Sequence, residues 1–362
     1  MDALGTIKRL DEAPASPQKS PIEGSAGFVS WMIRNRVSLA FTSFQNGDLY
    51  FMGSQSDGRA VFSRAQVPYV MGLAAFAQRI YLAANMQIWR FENVLKADEL
   101  GDGRHDRLFV ARSAHVIGPL DPHELGVEHS GRIVFANTRY ACVATPSVTH
   151  AFKPVWKPKF ISKLAPEDRC HLNGIGLEEG RLRYVTTCST TDMVDGWREH
   201  RADGGVVIDV SDDRIVTEGL SMPHSPRAHR GSVWVLDSGR GHLCRIDAKS
   251  GAREAIGFYP GFLRGLAFID NFAVATLSLP RTARFEGLEL DGELARRKAS
   301  SWCGIIIVDI RNGDVVEWLR FTREVRELFD IALIPNVRCP RGLAFDSVAL
   351  KDAISVEDAA FN

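Results

Sequence analysis

The sequence has no excess of charge of either sign, no long apolar run and no paired cysteine motif. Its 44 Lys and Arg residues balance 44 Asp and Glu residues, whereas nucleic-acid binding needs a basic excess or a clustered basic face. No apolar run reaches the roughly eighteen residues of a membrane span, and the first residues lack the apolar core of a secretory signal. The composition therefore predicts a cytoplasmic protein that binds neither nucleic acid nor a membrane.

The six cysteines stand singly along the 362 residues, without a CxxC pair. Such scattered thiols are typical of reduced cysteines in a cytosolic protein rather than of a disulfide framework. Apolar residues make up 45% of the chain, which is enough for a substantial core. A chain of this length suits two or three average domains, or one large all-β domain.

The middle of the chain is dominated by short strand-like runs. Stretches such as "VSLAFTS", "DLYFMG", "RIVFAN" and "CGIIIVDI" are rich in β-branched and aromatic residues and are separated by Gly, Asn or Asp turns. Helical periodicity is confined to two short stretches, "LDGELARRKA" and "FTREVRELF". Residues 1–25 are rich in Ala, Ser, Pro and charge, which predicts a disordered arm. We expect one domain over residues 26–350 and a C-terminal tail over residues 351–362.

Six heptads repeat along the chain: "VMGLAAF", "PHELGVE", "LNGIGLE", "PHSPRAH", "LRGLAFI" and "FDIALIP". Their second residues are separated by 52, 50, 51, 40 and 66 positions. A period near fifty, with several strands per unit, is typical of a β-propeller. The sequence therefore predicts an all-β, six-bladed propeller in which "FDIALIP" joins strands from the N-terminal side to close the ring. Two β-sandwich domains are the alternative, but they do not explain the period.

Equivalent positions on the inner strands of a propeller form a ring around the channel. Residues two positions earlier face the same way along a strand, because side chains alternate. Polar residues are therefore expected to converge at one mouth of the channel: Asp121, His123, His171, Asn173, His224, Arg264 and Asp330. Two long loops, residues 188–205 and 278–304, are predicted to cover this mouth as lids. Residues 137–145 should bring Arg139 and Tyr140 to the same face.

Several motifs resemble those of a bacterial family of uncharacterised propeller-like proteins: "APEDRCHLNG", "ADGGVVIDV", "GLSMPHSPR", "PGFLRGLAF" and "CGIIIVDIRNGDVVEWLRF". The resemblance spans roughly residues 28–345. It implies the propeller fold but no activity, because the family carries no settled biochemical function. The architecture is also distantly similar to gluconolactonase and strictosidine-synthase-like propellers, whose lactonases hold calcium through Glu, Asn and Asp oxygens. The ring of this chain departs from that pattern, which argues against a calcium lactonase.

The residue types of the ring suggest a metal-assisted site. Imidazoles suit zinc, iron or copper, so the predicted metal ligands are His123, His171 and His224. The predicted catalytic residues are His171, His224 and Asp330, and the predicted substrate contacts are Arg264, Asn173, Arg139, Trp197 and Arg198. The alternative is structural: histidines and Arg264 would bond carbonyls of neighbouring blades, and Asp330 would pair with Arg264. Arg341, in a similar "CPRGLAF", is open to the same two interpretations.

Two classes of function follow from these residues. The first is a metal-assisted hydrolase, lyase or oxidase that acts on a small anionic molecule or peptide, with Arg264 orienting the anion. The second is a non-catalytic propeller that binds a protein partner, with the polar ring as a satisfied channel lining. A propeller scaffold alone does not discriminate between them.

Overall fold

The computed structural model describes residues 22–357, and its strands form six sheets around a common axis. The first strands of neighbouring sheets contact one another in a closed ring of six. The sheets are therefore the blades of a six-bladed β-propeller, which confirms the prediction from the repeat. No helix among the described residues is long and apolar enough to cross a bilayer.

Four blades have four strands and two have a fifth, outer strand; the strands of each blade are named from the channel outward. Blade 1 consists of Ile331–Pro335, Val37–Ser43, Asp48–Ser54 and Ala60–Gln66. Blade 2 consists of Val70–Phe76, Arg79–Ala84, Gln87–Asn93, Arg107–Val116 and Pro340–Gly342. Blade 3 consists of Pro122–Val127, Ile133–Asn137, Cys142–Thr145 and Lys153–Trp156.

The second half of the ring follows the same order. Blade 4 consists of Leu172–Glu178, Arg181–Thr187, Gly205–Asp209 and Arg214–Leu220. Blade 5 consists of Pro223–His229, Ser232–Asp237, His242–Ile246 and Arg253–Phe258. Blade 6 consists of Phe262–Ile269, Phe272–Ser278, Cys303–Asp309, Asp314–Phe321 and Ile22–Gly24.

The two ends of the chain close the ring in blade 1, as predicted. The C-terminal strand Ile331–Pro335 pairs antiparallel with Val37–Ser43, with Leu333 opposite Leu39. Closure leaves no open edge between the first and last blades, where an unpaired strand would invite association. The strands Ile22–Gly24 and Pro340–Gly342 cover the outer edges of blades 6 and 2.

The predicted terminal segments lie only partly within the described residues. The predicted arm, residues 1–25, includes the edge strand Ile22–Gly24, and its residues 1–21 lie outside the described range. The predicted tail, residues 351–362, begins within a short 3-10 helix, Val348–Asp352, and residues 358–362 lie outside.

Within residues 22–357, two α-helices and a second 3-10 helix, Gly196–His200, interrupt the β-structure. Helix α1 (Phe28–Arg34), which the sequence analysis missed, buries Phe28, Trp31 and Met32 in a core shared with blades 6 and 1. Helix α2 (Glu289–Arg296) overlaps most of the predicted helical stretch "LDGELARRKA", Leu290–Ala299, and begins one residue before it. The prediction of a helix at "FTREVRELF" is wrong, because after Phe321 this stretch is an irregular connection into blade 1.

Glycines let the inner strands approach one another closely. A Cβ on Gly72 would lie 2.8 Å from the Cα of Glu124 in blade 3, and one on Gly265 would lie 2.7 Å from the amide nitrogen of Ile331 in blade 1. Real Cβ atoms do not tolerate such contacts with backbone, so larger residues at these positions would force the blades apart. The heptad glycines therefore set the width of the channel.

Candidate functional site at the channel mouth

His123 is hydrogen-bonded to the backbone just before its own strand. Its Nδ1 lies 2.9 Å from the carbonyl oxygen of Asp121 and 2.8 Å from the Thr138 hydroxyl. Thr138 donates its proton to the Leu172 carbonyl at 2.6 Å, so Nδ1 of His123 must be the protonated nitrogen. The Nε2 nitrogen of His123 therefore keeps its lone pair.

His224 repeats this arrangement in blade 5. Its Nδ1 lies 2.8 Å from the carbonyl oxygen of Met222 and 3.1 Å from the Ser238 hydroxyl. Its Nε2 lies 3.4 Å from Nδ2 of Asn173, whose Oδ1 accepts a bond from Thr186. Nε2 of His224 is thus an acceptor as well, and Asn173 joins blades 4 and 5 at the mouth.

The entry to these strands has a recurrent backbone conformation. Asp121 and Met222, each two residues before a histidine, have φ of 50° and 47°. The left-handed conformation turns their carbonyls back toward the imidazoles. His171, two residues before Asn173, has the same conformation, with φ of 50°.

His171 forms a carboxylate–imidazole pair with Asp168. Nδ1 of His171 lies 2.8 Å from Oδ2 of Asp168, and the indole nitrogen of Trp197 donates to the same oxygen at 2.9 Å. The Trp197 ring stacks on the imidazole with centroids 4.1 Å apart. The His123 ring also packs edge-on against the His171 ring, with the two ring centroids 4.9 Å apart. The buried Oδ1 of Asp168 has no hydrogen-bond partner among the described residues.

Burial sets the protonation of the two other histidines. It lowers the pKa of His123 and His224 well below the usual value for imidazole, and the positive charge of Arg264 acts in the same direction. Both rings are therefore neutral near pH 7. Neutral imidazoles whose Nε2 keeps its lone pair are able to accept a proton or to coordinate a metal, although in His224 this lone pair already accepts a bond from Asn173.

Arg264 brings a buried positive charge to the same mouth. Its Nη2 lies 3.3 Å from Oε1 of Glu327, and its guanidinium lies over the rings of Phe262 and Phe329 at 4.9 and 5.0 Å. Burial lowers the pKa of Arg264 to about 10, so the group stays charged near pH 7. Its Nε is buried without a hydrogen-bond partner in the described part of the chain, although such groups are nearly always satisfied.

Glu327 is shared by two arginines. Arg281, from the loop 278–304, donates to its two oxygens at 2.6 and 3.0 Å. Burial of Glu327 opposes ionisation, but Arg264 and Arg281 outweigh it and lower the pKa of this carboxyl. Two guanidinium groups share one carboxylate in this cluster, so one positive charge is not matched within it, which favours an anion beside the two arginines.

Asp330 belongs to a separate, buried group within the channel. Its two oxygens accept the backbone amides of Leu73 and Ile331 at 2.7 and 2.8 Å. Burial and the negative charge of Glu124 raise the pKa of Asp330 to about 7, although Arg227 opposes them. Arg227 donates to Glu124 at 2.5 Å. We call Glu124, Arg227 and Asp330 the ionic plug.

The structure brings most of the predicted ring together. Phe329 contacts both His123, at 5.6 Å, and Arg264, whereas Phe262 contacts His224, at 5.5 Å, and Arg264. Arg264 pairs with Glu327 rather than with Asp330.

Both predicted lids lie at this mouth. Loop 188–205 supplies Trp197, and loop 278–304 supplies Arg281. Arg198 lies on the exposed side of Trp197, 4.5 Å from its ring, and pairs with Asp195. Arg139 is exposed, and its carbonyl accepts the amide of Asp168 at 3.0 Å.

Two residues of the site were missed by the sequence analysis. Asp168 stands three residues before His171, a spacing that a short turn brings into contact. Glu327 lies in the stretch that was interpreted as a helix. Among residues 22–357, no group of three or more His, Cys, Asp or Glu residues is arranged to hold a metal ion. The metal site at His123, His171 and His224 stays a prediction.

Comparison with known proteins places the chain in a family. Residues 26–343 match the family described as "Domain of unknown function (DUF4915)". The chain belongs to this family. No curated protein matches it. Among solved structures, it is similar to a chain of the "Crystal structure of Nidogen/Laminin Complex", with a TM-score of 0.55 and 12% identity, over 84% of this chain and all of that one. At this identity the similarity concerns the fold alone.

Proposed function

We propose that the channel mouth is the active site of an enzyme that moves a proton on a small anionic molecule. One observation carries the proposal: the Asp168–His171 pair lies in ring contact with the neutral His123, in a mouth that also holds Arg264 with an Nε that no described residue satisfies. A purely structural lining would be expected to satisfy a buried guanidinium fully. The groups needed to bind and to transfer a proton are therefore within one small volume.

The arginines account for binding of the anion. Arg264 and Arg281 share the single carboxylate of Glu327, so an incoming carboxylate or phosphate would balance the second charge. The free Nε edge of Arg264 is a donor for such a group. Because the site is largely buried, this attraction is stronger than it would be on an open surface.

The Asp168–His171 pair accounts for proton transfer. A carboxylate that accepts Nδ1–H fixes the tautomer and orientation of the imidazole and stabilises its protonated form, as in catalytic His–Asp pairs. Trp197 holds the same carboxylate oxygen and covers the ring. His171 is the general acid–base in this scheme, and Asp168 and Trp197 are positioning residues.

A metal-assisted form of this activity extends the proposal. Histidines that ligate metals usually donate their other ring nitrogen to a carbonyl or carboxylate, and Nδ1 of His123, His171 and His224 is engaged in this way. Zinc, iron or copper would then polarise the substrate or activate water in a hydrolase, lyase or oxidase. In this form His224 is also catalytic, whereas Asp330, which the sequence suggested as catalytic, lies in the ionic plug with both oxygens bonded to backbone amides and has no part in it.

A second candidate function is the binding of a protein partner. Loop 188–205, which covers the mouth, exposes Met193 and Val194, with 72% and 61% of their surfaces accessible. Exposed apolar side chains next to each other are a common feature of interaction sites. This candidate needs no turnover.

Turnover of small anions tests the proposal. The purified protein is incubated with a panel of carboxylates, lactones and phosphate monoesters, and products are followed by NMR. We expect turnover that falls by about two to four orders of magnitude in His171→Gln, which removes the acid–base group, and a raised KM in Arg264→Gln. His229→Gln is the matched control, because His229 stacks on Phe268 and bonds the Asp270 carbonyl away from this mouth.

The outcome that contradicts the proposal is turnover that survives unchanged in His171→Gln and Arg264→Gln. Elemental analysis decides the metal-assisted form: near-stoichiometric metal must be lost in a folded double variant of His123 and His224. Absence of turnover across the panel, with a protein captured only when Met193 and Val194 are intact, favours the second candidate.

A further inference from the structure

A second polar pocket lies on the rim of the propeller, between blades 1 and 2. It has a volume of about 340 Å³ and is lined by Arg64, Arg104, His105 and Arg341, among others. We propose that this pocket binds the phosphate group of a small molecule. It is distinct from the channel mouth and does not depend on the function proposed there.

The outer edge strand of blade 2 builds the pocket. Pro340–Gly342 pairs parallel with Arg107–Phe109 of blade 2 and packs against the outer strands of blade 1. The amide of Gly342 lies 3.3 Å from the hydroxyl of Ser63. A Cβ on Gly342 would lie 2.4 Å from the Phe51 ring, so only glycine permits this approach. The strand therefore carries Arg341 to a fixed position between the blades.

A buried histidine orients the central arginine. His105 is 1% exposed, and burial lowers its pKa, so the ring is neutral near pH 7. Nδ1 lies 3.2 Å from the carbonyl oxygen of Cys339 and must donate to it. Nε2 then accepts the Nε–H of Arg104 at 3.1 Å.

This bond leaves the outer edge of Arg104 unused. Within residues 22–357, its two Nη groups have no hydrogen-bond partner and no carboxylate. The imidazole of His105 holds Nε of Arg104 in place and leaves both Nη groups open. These Nη groups form a fork of donors that matches the oxygens of a phosphate. Arg104 is itself exposed, so its Nη groups can be reached by a ligand from solvent while the buried His105 fixes its Nε.

The surrounding charges leave room for an anion. Arg341 donates to Asp102, and Arg64 lies 3.6 Å from Asp48. Asp106 is occupied by the backbone amides of Arg338 and Cys339, at 2.8 Å each. The guanidinium of Arg104 thus has no negative partner among the described residues, and a phosphate, with a charge of about −1.5 to −2 at pH 7, would supply it.

Calorimetric titration with inorganic pyrophosphate tests the proposal. We expect the wild type to bind and Arg104→Gln to bind about ten- to hundred-fold more weakly, the usual cost of losing charged hydrogen bonds. Arg341→Gln should weaken binding similarly. Hydrogen exchange should slow at residues 101–107 and 338–343 when pyrophosphate is added. The matched control is Arg245→Gln, because Arg245 is an exposed arginine paired with Glu254 on blade 5.

A variant of the channel mouth separates the two sites. Arg264→Gln should leave the exchange protection at residues 101–107 unchanged. Three outcomes overturn the inference: the wild type does not bind pyrophosphate, Arg104→Gln binds as tightly as the wild type, or protection at these residues requires Arg264. None of these outcomes bears on turnover at the mouth, so failure here and failure of the proposed enzyme are distinguishable.

Discussion

Replacing Asp330 by asparagine should change how the stability of the propeller depends on pH. Asp330 is 2% exposed, and burial together with Glu124 raises its pKa to about 7. An aspartate in the unfolded chain has a pKa of about 3.9. Between these two values Asp330 binds a proton in the folded protein but not in the unfolded chain, so its contribution to stability is fully present below about pH 4 and is lost as pH rises through 7.

The size of the effect follows from the shift. A difference of about three pKa units corresponds to about 4 kcal/mol, lost at about 1.4 kcal/mol per pH unit between pH 4 and pH 7. The asparagine side chain in Asp330→Asn does not titrate, so the variant lacks this loss. Its amide accepts only one of the two backbone N–H groups that Asp330 accepts, which costs the variant about 1–3 kcal/mol at every pH. That offset leaves the slope unchanged.

Urea unfolding at half-unit intervals from pH 4 to pH 8 measures the difference between wild type and variant. We expect the wild type to lose up to about 4 kcal/mol relative to Asp330→Asn over this range. Asp209→Asn is the control: Asp209 is also buried, but bonds from Ser211 and Arg183 outweigh burial and lower its pKa. Asp209 is ionised in both the folded and the unfolded protein above about pH 5, so the difference between wild type and Asp209→Asn should be flat from pH 5 to pH 8. A flat difference for Asp330→Asn as well would refute the reasoning.

Three further predictions concern the channel. His224 has a pKa below its unfolded value, so its part of the stability is lost as pH falls below about 6.5, and His224→Gln should reduce that loss in urea unfolding at pH 5 and 7. Gly265→Ala should destabilise by about 1–3 kcal/mol, whereas Gly292→Ala in helix α2, where a Cβ meets nothing within 4 Å, should stabilise by about 0.5–1 kcal/mol. Trp197→Phe keeps a ring over His171 but loses the bond to Asp168, so the pH–rate profile should shift; an unchanged profile would remove Trp197 from the positioning residues.

The fold was predictable because each repeat in the sequence corresponds to one blade of the propeller. Each heptad contains the inner strand of one blade, and glycines such as Gly72 and Gly265 stand where the neighbouring backbone comes closest. Helix α1 was missed because it is only seven residues long, from Phe28 to Arg34, and lacks an acidic first turn and a side-chain N-cap. Its apolar residues also fit a strand pattern, and only their packing in the core between blades 6 and 1 identifies the segment as a helix.

The site was predictable in part. Alternation along the strand suggested that His171 would face the same way as Asn173, but its positive φ shows that regular strand geometry does not apply there. His171 reaches His123 because the left-handed turn, together with Asp168 and Trp197, positions its ring. The distant carboxylate of Glu327 could not be inferred, since its position depends on an irregular connection.

The ionic plug also determines how a substrate would reach the mouth. Arg227, in blade 5, donates to the carbonyls of Leu266 in blade 6 and Ile175 in blade 4 and to the carboxylate of Glu124 in blade 3. Asp330 joins blade 1 to blade 2 through the amide of Leu73. Buried polar groups, which are costly to separate, therefore tie together the inner strands of blades 3 to 6 and, separately, those of blades 1 and 2. A cavity of about 450 Å³ opens on the far side of Arg227. A substrate held at the histidines would consequently enter and leave through the mouth itself, past the loops 188–205 and 278–304.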